Sequence, residues 1–231
     1  MSAPAVGISD RRAARFYDST VGQKVVMAVS GVVLFGYVVA HLAGNLQIFL
    51  GPAQINHYAA LLHASPPLLW TARIFLLAML ILHVWSATLL YLRKWDARPV
   101  PYVKKRAVGS SYASRTMYWS GPIIAVFVVY HIMQFTLGVG GTPYRELRPY
   151  ENVVHGFRNP LVAGFYIFAM ILLCTHLYHG LWSMFQTLGV SQPRYSRWLR
   201  RGAQAVAVLI CLGEISIPIA VLTGVVGGGL Q

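Results

Sequence analysis

Charge is scarce in this chain. Only 11% of its 231 residues are charged, and just 6 are acidic, where a soluble domain carries roughly 25% charged residues. Too few ionic groups remain to cover a water-facing globule, which argues against a soluble fold. The 19 Lys and Arg leave a net charge of +13. A nucleic-acid binder, however, displays its cations on a polar face. Here they fall in short runs between long apolar stretches, so no nucleic-acid partner is expected. Cysteine is equally sparse. Cys174 and Cys211 both lie within apolar runs, with no CxxC and no CxxCH. That argues against a disulfide framework, a cysteine zinc site, an iron–sulfur cluster in this chain and covalent c-type haem.

What is abundant is apolar length. Hydrophobic residues make up 56% of the chain, and a membrane-crossing helix needs about 20 mainly apolar residues. Five stretches qualify: Val25–Leu50, Leu68–Tyr91, Tyr118–Val139, Leu161–Leu188 and Ala203–Val226. The expected fold is an all-α membrane protein, a bundle of five transmembrane helices over residues 24–227 behind a polar, cytoplasmic segment 1–23. Ser65-Pro66-Pro67 and Asn159-Pro160 mark the starts of the second and fourth helices by cap and first-turn proline. Pro122 is expected in the first turn of the third, and Pro218 as a kink in the fifth. The tail Gly227-Gly228-Gly229 is expected to fray. The first stretch is too long for a signal-peptide core and reads as a retained helix.

Cations set the expected orientation. Arg11, Arg12, Arg15 and Lys24 precede or open the first helix. Arg93, Lys94, Arg98, Lys104, Lys105, Arg106 and Arg115 lie between the second and third, and Arg194, Arg197, Arg200 and Arg201 between the fourth and fifth. All fall on one side. The other side holds Arg73, Arg145, Arg148 and Arg158. This predicts a multi-pass protein of the cytoplasmic (inner) membrane, with its N-terminus in the cytoplasm and its C-terminus outside. The basic runs suit phospholipid headgroups and could also dock an acidic partner. Trp85 and Trp182 lie deep and read as packing residues.

The chemistry rests on histidine. His57, His63 and His155 fall in outer loops, whereas His41, His83, His131, His176 and His179 lie in apolar helices, where an ionisable group is costly and usually functional. One such residue is readily explained as a polar contact between helices; one on each of four helices is not. At about 1.5 Å per residue, His41 and His131 lie roughly 25 and 21 Å from the cytoplasmic ends of their helices, and His83 and His176 roughly 14 and 17 Å. The set sorts into an outer pair, His41 with His131, and an inner pair, His83 with His176. Depth alone does not separate His176 from His179. Two imidazoles at one depth on facing helices suit a b-type haem, so two haems stacked across the bilayer are expected, with Gly36, Ala40, Ala43, Gly44, Ala87, Gly164 and Gly180 leaving room for the rings. Bis-histidine iron has no open position, which points to electron transfer. Glu214 in the fifth helix reads as a protonated or hydrogen-bonded acid facing the bundle.

These residues carry a family resemblance. His176-Leu-Tyr-His179-Gly-Leu-Trp-Ser-Met-Phe-Gln-Thr-Leu-Gly189, with His41-Leu-Ala-Gly-Asn45, Ile-Leu-His83, Tyr-His131 and Asn159-Pro-Leu-Val-Ala-Gly-Phe-Tyr166, resembles the cytochrome b membrane anchor of succinate dehydrogenase and fumarate reductase in its five-helix, two-haem form. The likeness runs from about Phe16 to Val226. It implies ligation by His41 with His131 and by His83 with His176, with His179 as a propionate or supporting contact. It implies a flavoprotein and an iron–sulfur partner on the cytoplasmic side, which carry the FAD and Fe–S chemistry that this chain, lacking a dinucleotide-binding glycine motif and a cysteine cluster, cannot supply. It implies a membrane quinone as substrate, with His63 and Arg73 as candidate contacts at the outer turn before the second helix. Some quinol-oxidising relatives carry a glutamate where this chain has Cys174, which puts a proton path of that kind in doubt.

Two other readings compete. A b-type cytochrome subunit of a hydrogenase or formate dehydrogenase shares transmembrane histidine pairs but matches these motifs less well; co-purification with a succinate-oxidising flavoprotein separates the two. A haem-free histidine relay in a transporter would string its histidines along one path among acidic groups, and a haem spectrum discriminates it.

Overall fold

The computed structural model describes residues 14–97 and 112–229. Arg11, Arg12, Arg98, Lys104, Lys105 and Arg106 lie outside the described residues. Of the described residues 82% are helical and none is in a strand. A short α1 (Ala14–Asp18) leads into α2 (Thr20–Asn45), which continues as a 3₁₀ turn over Leu46–Leu50. Then come α3 (Pro52–His63), α4 (Pro66–Asp96), α5 (Tyr112–Phe135), α6 (Pro149–Phe157), α7 (Pro160–Thr187) and α8 (Ser196–Leu222).

Five of these, α2 with its 3₁₀ extension, α4, α5, α7 and α8, are long and apolar enough to cross a membrane. Their packing shows that they must. Only 6% of the apolar window of α4 and 11% of that of α2 is buried within the chain. Leu68, Ile74, Leu77 and Ile81 are all more than half exposed. An apolar surface this extensive is not stable in water, and the protein is a multi-pass membrane protein.

Local chemistry explains most helix ends. Ser19 caps α2, its hydroxyl accepting from the Gly22 amide at 2.9 Å, and glycine is required at 22 because a Cβ there would collide with the Phe16 carbonyl. Asn159 caps α7 as expected, accepting from the Leu161 amide at 3.0 Å. Ser65 occupies the cap position of α4, but its side chain makes no capping hydrogen bond; Pro66, lacking an amide proton, sits at the first helical position. Helix α5 begins earlier than the apolar run suggests, so Pro122 lies inside it rather than in its first turn. It also ends earlier, at Phe135, because Gly138 takes a φ of 68° and the amides of Thr136 and Leu137 both fold back onto the Ile132 carbonyl. Gly224, at φ 75°, ends the last helix in the same way.

The cysteines fix the sense of the last two helices. Cys174 donates to the Ala207 carbonyl at 3.3 Å and Cys211 to the Met170 carbonyl at 3.8 Å, a reciprocal register that only antiparallel helices allow. With the spans alternating in direction, Lys24, Arg93, Lys94, Arg115, Arg197, Arg200 and Arg201 share one end, hereafter the basic end. Arg73, Arg145, Arg148 and Arg158 lie at the far end with α3 and α6.

The outer connections are more structured than loops. His57 and His63 lie on α3 and His155 on α6. Asn56 on α3 donates to Glu151 at 3.2 Å and accepts from the Tyr150 amide at 3.2 Å, which ties the two short helices together. The glycine tail does not fray at Gly227. Its amide donates to the Tyr150 hydroxyl at 3.1 Å, and its carbonyl accepts from Arg158 at 3.0 Å. Trp85 is 57% exposed, so it faces out of the bundle instead of packing within it. Trp182 is half-buried and lies under the Arg200 guanidinium.

The core sits at the far end. Val154, Phe157, Ala163, Tyr166, Ala169, Ile217 and Val221 form one buried cluster with Phe127 and Ile48. The backbones that pack closely are α2 with α4, α5 with α7, α7 with α8 and, less extensively, α2 with α7. The pairs α2 with α5 and α4 with α7 are not among them.

Candidate functional site

Four of the five intramembrane histidines meet in two pairs. The rings of His41 on α2 and His131 on α5 have centroids 5.6 Å apart with planes at 85°. Those of His83 on α4 and His176 on α7 are 6.2 Å apart at 59°. Each pair thus bridges two helices whose backbones are not among the closely packed pairs.

The pairs occupy different depths. His83 meets α2 beside Met27, Ser30 and Gly31. His41 lies ten residues beyond Gly31 on the same helix, about 15 Å further along the axis. One pair is therefore near mid-bundle and the other about a turn from the far end of its helices.

One imidazole in each pair is held by its Nδ1. In His83, Nδ1 lies 3.1 Å from the Met27 carbonyl oxygen. A carbonyl only accepts, so Nδ1 carries the proton and Nε2 keeps its lone pair. Ser30, whose hydroxyl donates to the Val26 carbonyl at 2.8 Å, adds a second acceptor 3.4 Å from the same nitrogen. Gly31 eases the approach: a Cβ would stand a tight 3.3 Å from the His83 ring. In His131, Nδ1 lies 3.4 Å from the Tyr166 hydroxyl, and that hydroxyl donates to Gln134 Oε1 at 2.8 Å. The hydroxyl proton is committed to the amide, which leaves the phenolic oxygen to accept from Nδ1. The partners differ. His176 Nδ1 is buried without a hydrogen bond, and His41 stacks on Tyr37, centroids 5.3 Å apart at 24°.

The remaining predicted residues fall elsewhere. His176 is the ring that faces His83; His179 is half-buried one turn further along α7. His63 is exposed and bonds its own helix, Nδ1 to the Ala59 carbonyl at 2.8 Å. Arg73 lies over the Trp70 ring at 5.2 Å. Tyr166, Gln134, Ser30 and Gly31 were not singled out from the sequence. The available signal was polar residues in apolar runs: Gln134 follows His131 by three positions, on the same helix face.

These pairs can do little chemistry alone. Among the described residues no group of three or more His, Cys, Asp or Glu gathers as a metal site. Two facing imidazoles could hold a metal ion or a flat group between them. No protein-family model, curated protein or solved structure matches the chain.

Proposed function

We propose that this chain is the dihaem cytochrome b membrane anchor of a succinate:quinone oxidoreductase. His83 and His176 hold one haem b near mid-bundle, and His41 and His131 hold a second toward the far end. The observation that carries the reading is the isolation of the two histidine pairs. Each supplies two facing imidazoles from helices whose backbones are not among the closely packed pairs. A haem would be held by these imidazoles, and its apolar ring would suit the apolar helices around them.

Spacing supports the fit. With metal–imidazole bonds of about 2 Å, ring centres 5.6 and 6.2 Å apart would leave room for one metal ion between each pair. With Nδ1 of His83 and His131 donating to their acceptors, Nε2 of each ring would be left to bind it. When bound, bis-histidine haem supplies reversible one-electron exchange with no open position for oxygen. The chain's own residues fix the imidazole tautomers, exclude water through the apolar spans and hold the two sites about 15 Å apart along α2.

In this reading the basic end is cytoplasmic and receives electrons from an iron–sulfur partner, itself fed by a flavoprotein that oxidises succinate. The far end serves a membrane quinone, with Arg73 on α4 and the exposed His63 on α3 as candidate contacts. The test is a haem-to-chain ratio and a reduced-minus-oxidised spectrum on the purified complex, with its other subunits identified by mass. Two haems b per chain, reducible by succinate, are expected. A colourless but correctly inserted preparation overturns the reading.

A further inference from the structure

The hydrogen-bonded chain behind His131 runs further than ligation requires. Tyr166 donates to Gln134 Oε1 at 2.8 Å, and Gln134 Nε2 points on to the Thr142 hydroxyl at 3.5 Å. Both central residues are buried, Tyr166 at 5% and Gln134 at 1% exposure. The phenol ring is caged by Phe127, Phe157 and Phe135, with centroids 4.9, 4.8 and 5.8 Å away. The amide is confined by two glycines. A Cβ on Gly156 would stand 2.8 Å from Gln134 Nε2, and one on Gly140 would stand 2.6 Å from Gln134 Cα. Three elements thus converge to hold one amide and one hydroxyl in a fixed direction. The Met27 carbonyl that serves His83 needs no such assembly, because it is ordinary helix backbone.

We propose that Tyr166 and Gln134 are positioning residues that set the electron-donor strength of His131, and hence the reduction potential of the far-end centre. The inference rests on the haem reading above and adds a tuning element to it. The physical argument is short. An imidazole whose Nδ1–H donates to a good acceptor carries more electron density at Nε2 and favours the oxidised metal. A tyrosine hydroxyl is a good acceptor only while its own proton is directed elsewhere, and Gln134 directs it. With the amide reversed, the hydroxyl would donate to Nδ1, the Nε2 of His131 would carry the proton, and it could not bind a metal. The confinement of Gln134 by Gly140 and Gly156 keeps that amide in place, and this gives both glycines a role in the site.

The test is a redox titration of the intact complex carrying Tyr166→Phe, a change that keeps the ring and removes the acceptor. Both haems are expected to remain bound. The far-end centre should shift upward by the equivalent of roughly a tenfold change in its oxidised-to-reduced ratio, about 59 mV for one electron, with an altered low-spin resonance from that centre alone. The mid-bundle centre should be unmoved. Gly156→Ala presses on the amide, and on the Phe135 ring 3.2 Å away, while keeping the Tyr166 hydroxyl and the His131 imidazole themselves, and should move the same centre; it decides the matter if Tyr166→Phe fails to retain the far-end haem. Two bound haems with unchanged potentials in these variants would overturn the tuning role while leaving the ligands intact. Wild-type complex without haem would instead remove the parent reading, and this inference with it.

Discussion

The Nδ1 atom of His83 lies 3.1 Å from the carbonyl oxygen of Met27 on the neighbouring helix. That carbonyl belongs to a helical turn, so it offers only its spare lone pair, and the missing side chain at Gly31 eases the approach. The Gly31→Val substitution should therefore act on the site more than on the fold. A Cβ alone would stand 3.3 Å from the imidazole, and two further methyl groups force the ring away. Loss of the mid-bundle haem with retention of the far-end one is expected, read as a halved haem-to-chain ratio. Overpacking should cost about 1–3 kcal/mol in stability. A Gly31→Val protein with its full haem content would refute this account.

Ligand assignment makes a sharper prediction. His176, not His179, presents its ring to His83. His83→Ala and His176→Ala should each remove one haem and the same one, and the double variant should lose no more than either single change. His179→Ala should leave both bound. Native spectra in His176→Ala would reverse the choice between the two α7 histidines.

How much of this was legible in sequence depends on the range of the cause. Histidine pairing was visible because a helix converts residue count into depth, and the ends of α2, α4, α5 and α7 were marked closely enough by composition to compare depths. The choice of His176 over His179 needed the direction of a side chain, which spacing of three residues does not resolve. Helices α3 and α6 were missed because, at 12 and 9 residues, they are too short to stand out by apolar length; prolines at their first turns and contacts such as Asn56 to Glu151 hold them in place. The acceptors behind His83 and His131 were invisible for another reason. One is a backbone carbonyl and the other a tyrosine 35 residues distant, and neither has a local sequence signature.

Asn152 gives a prediction independent of any cofactor. It is buried at 5% exposure. Its Oδ1 accepts from the Arg145 amide and its Nδ2 donates to the Arg145 carbonyl, each at 2.8 Å. The side chain thus closes both backbone groups of one residue in the connection between α5 and α6. Asn152→Ala breaks both bonds; the Arg145 carbonyl keeps the Arg148 amide at 3.3 Å and the Arg145 amide is left without this partner on an exposed residue, so the cost should not exceed about 1–3 kcal/mol. Faster proteolysis between residues 138 and 148, with haem content unaltered, is expected. A cleavage rate equal to that of the wild type would show that other contacts hold the connection.

The last prediction concerns the unpacked helix pairs. Because α2 with α5 and α4 with α7 meet through histidine rings and not through close backbone packing, a group bound between each pair should act as a cross-brace. Ligand that binds only the folded state stabilises it by about 4.1 kcal/mol when present at 1,000 times its dissociation constant, and here that energy acts between elements with few other contacts. Protein produced under haem limitation should still insert, since the five apolar spans do not depend on the cofactor, but it should melt at a lower temperature. Amide exchange should rise most in α5 and α4 and least at the α7–α8 interface, where direct packing is densest. Adding haem back should restore the melting temperature in wild-type protein and only partly in His131→Ala, where one brace is missing. Equal thermal stability with and without haem would mean that the bundle closes without help, and the gap between these helices would then need another explanation.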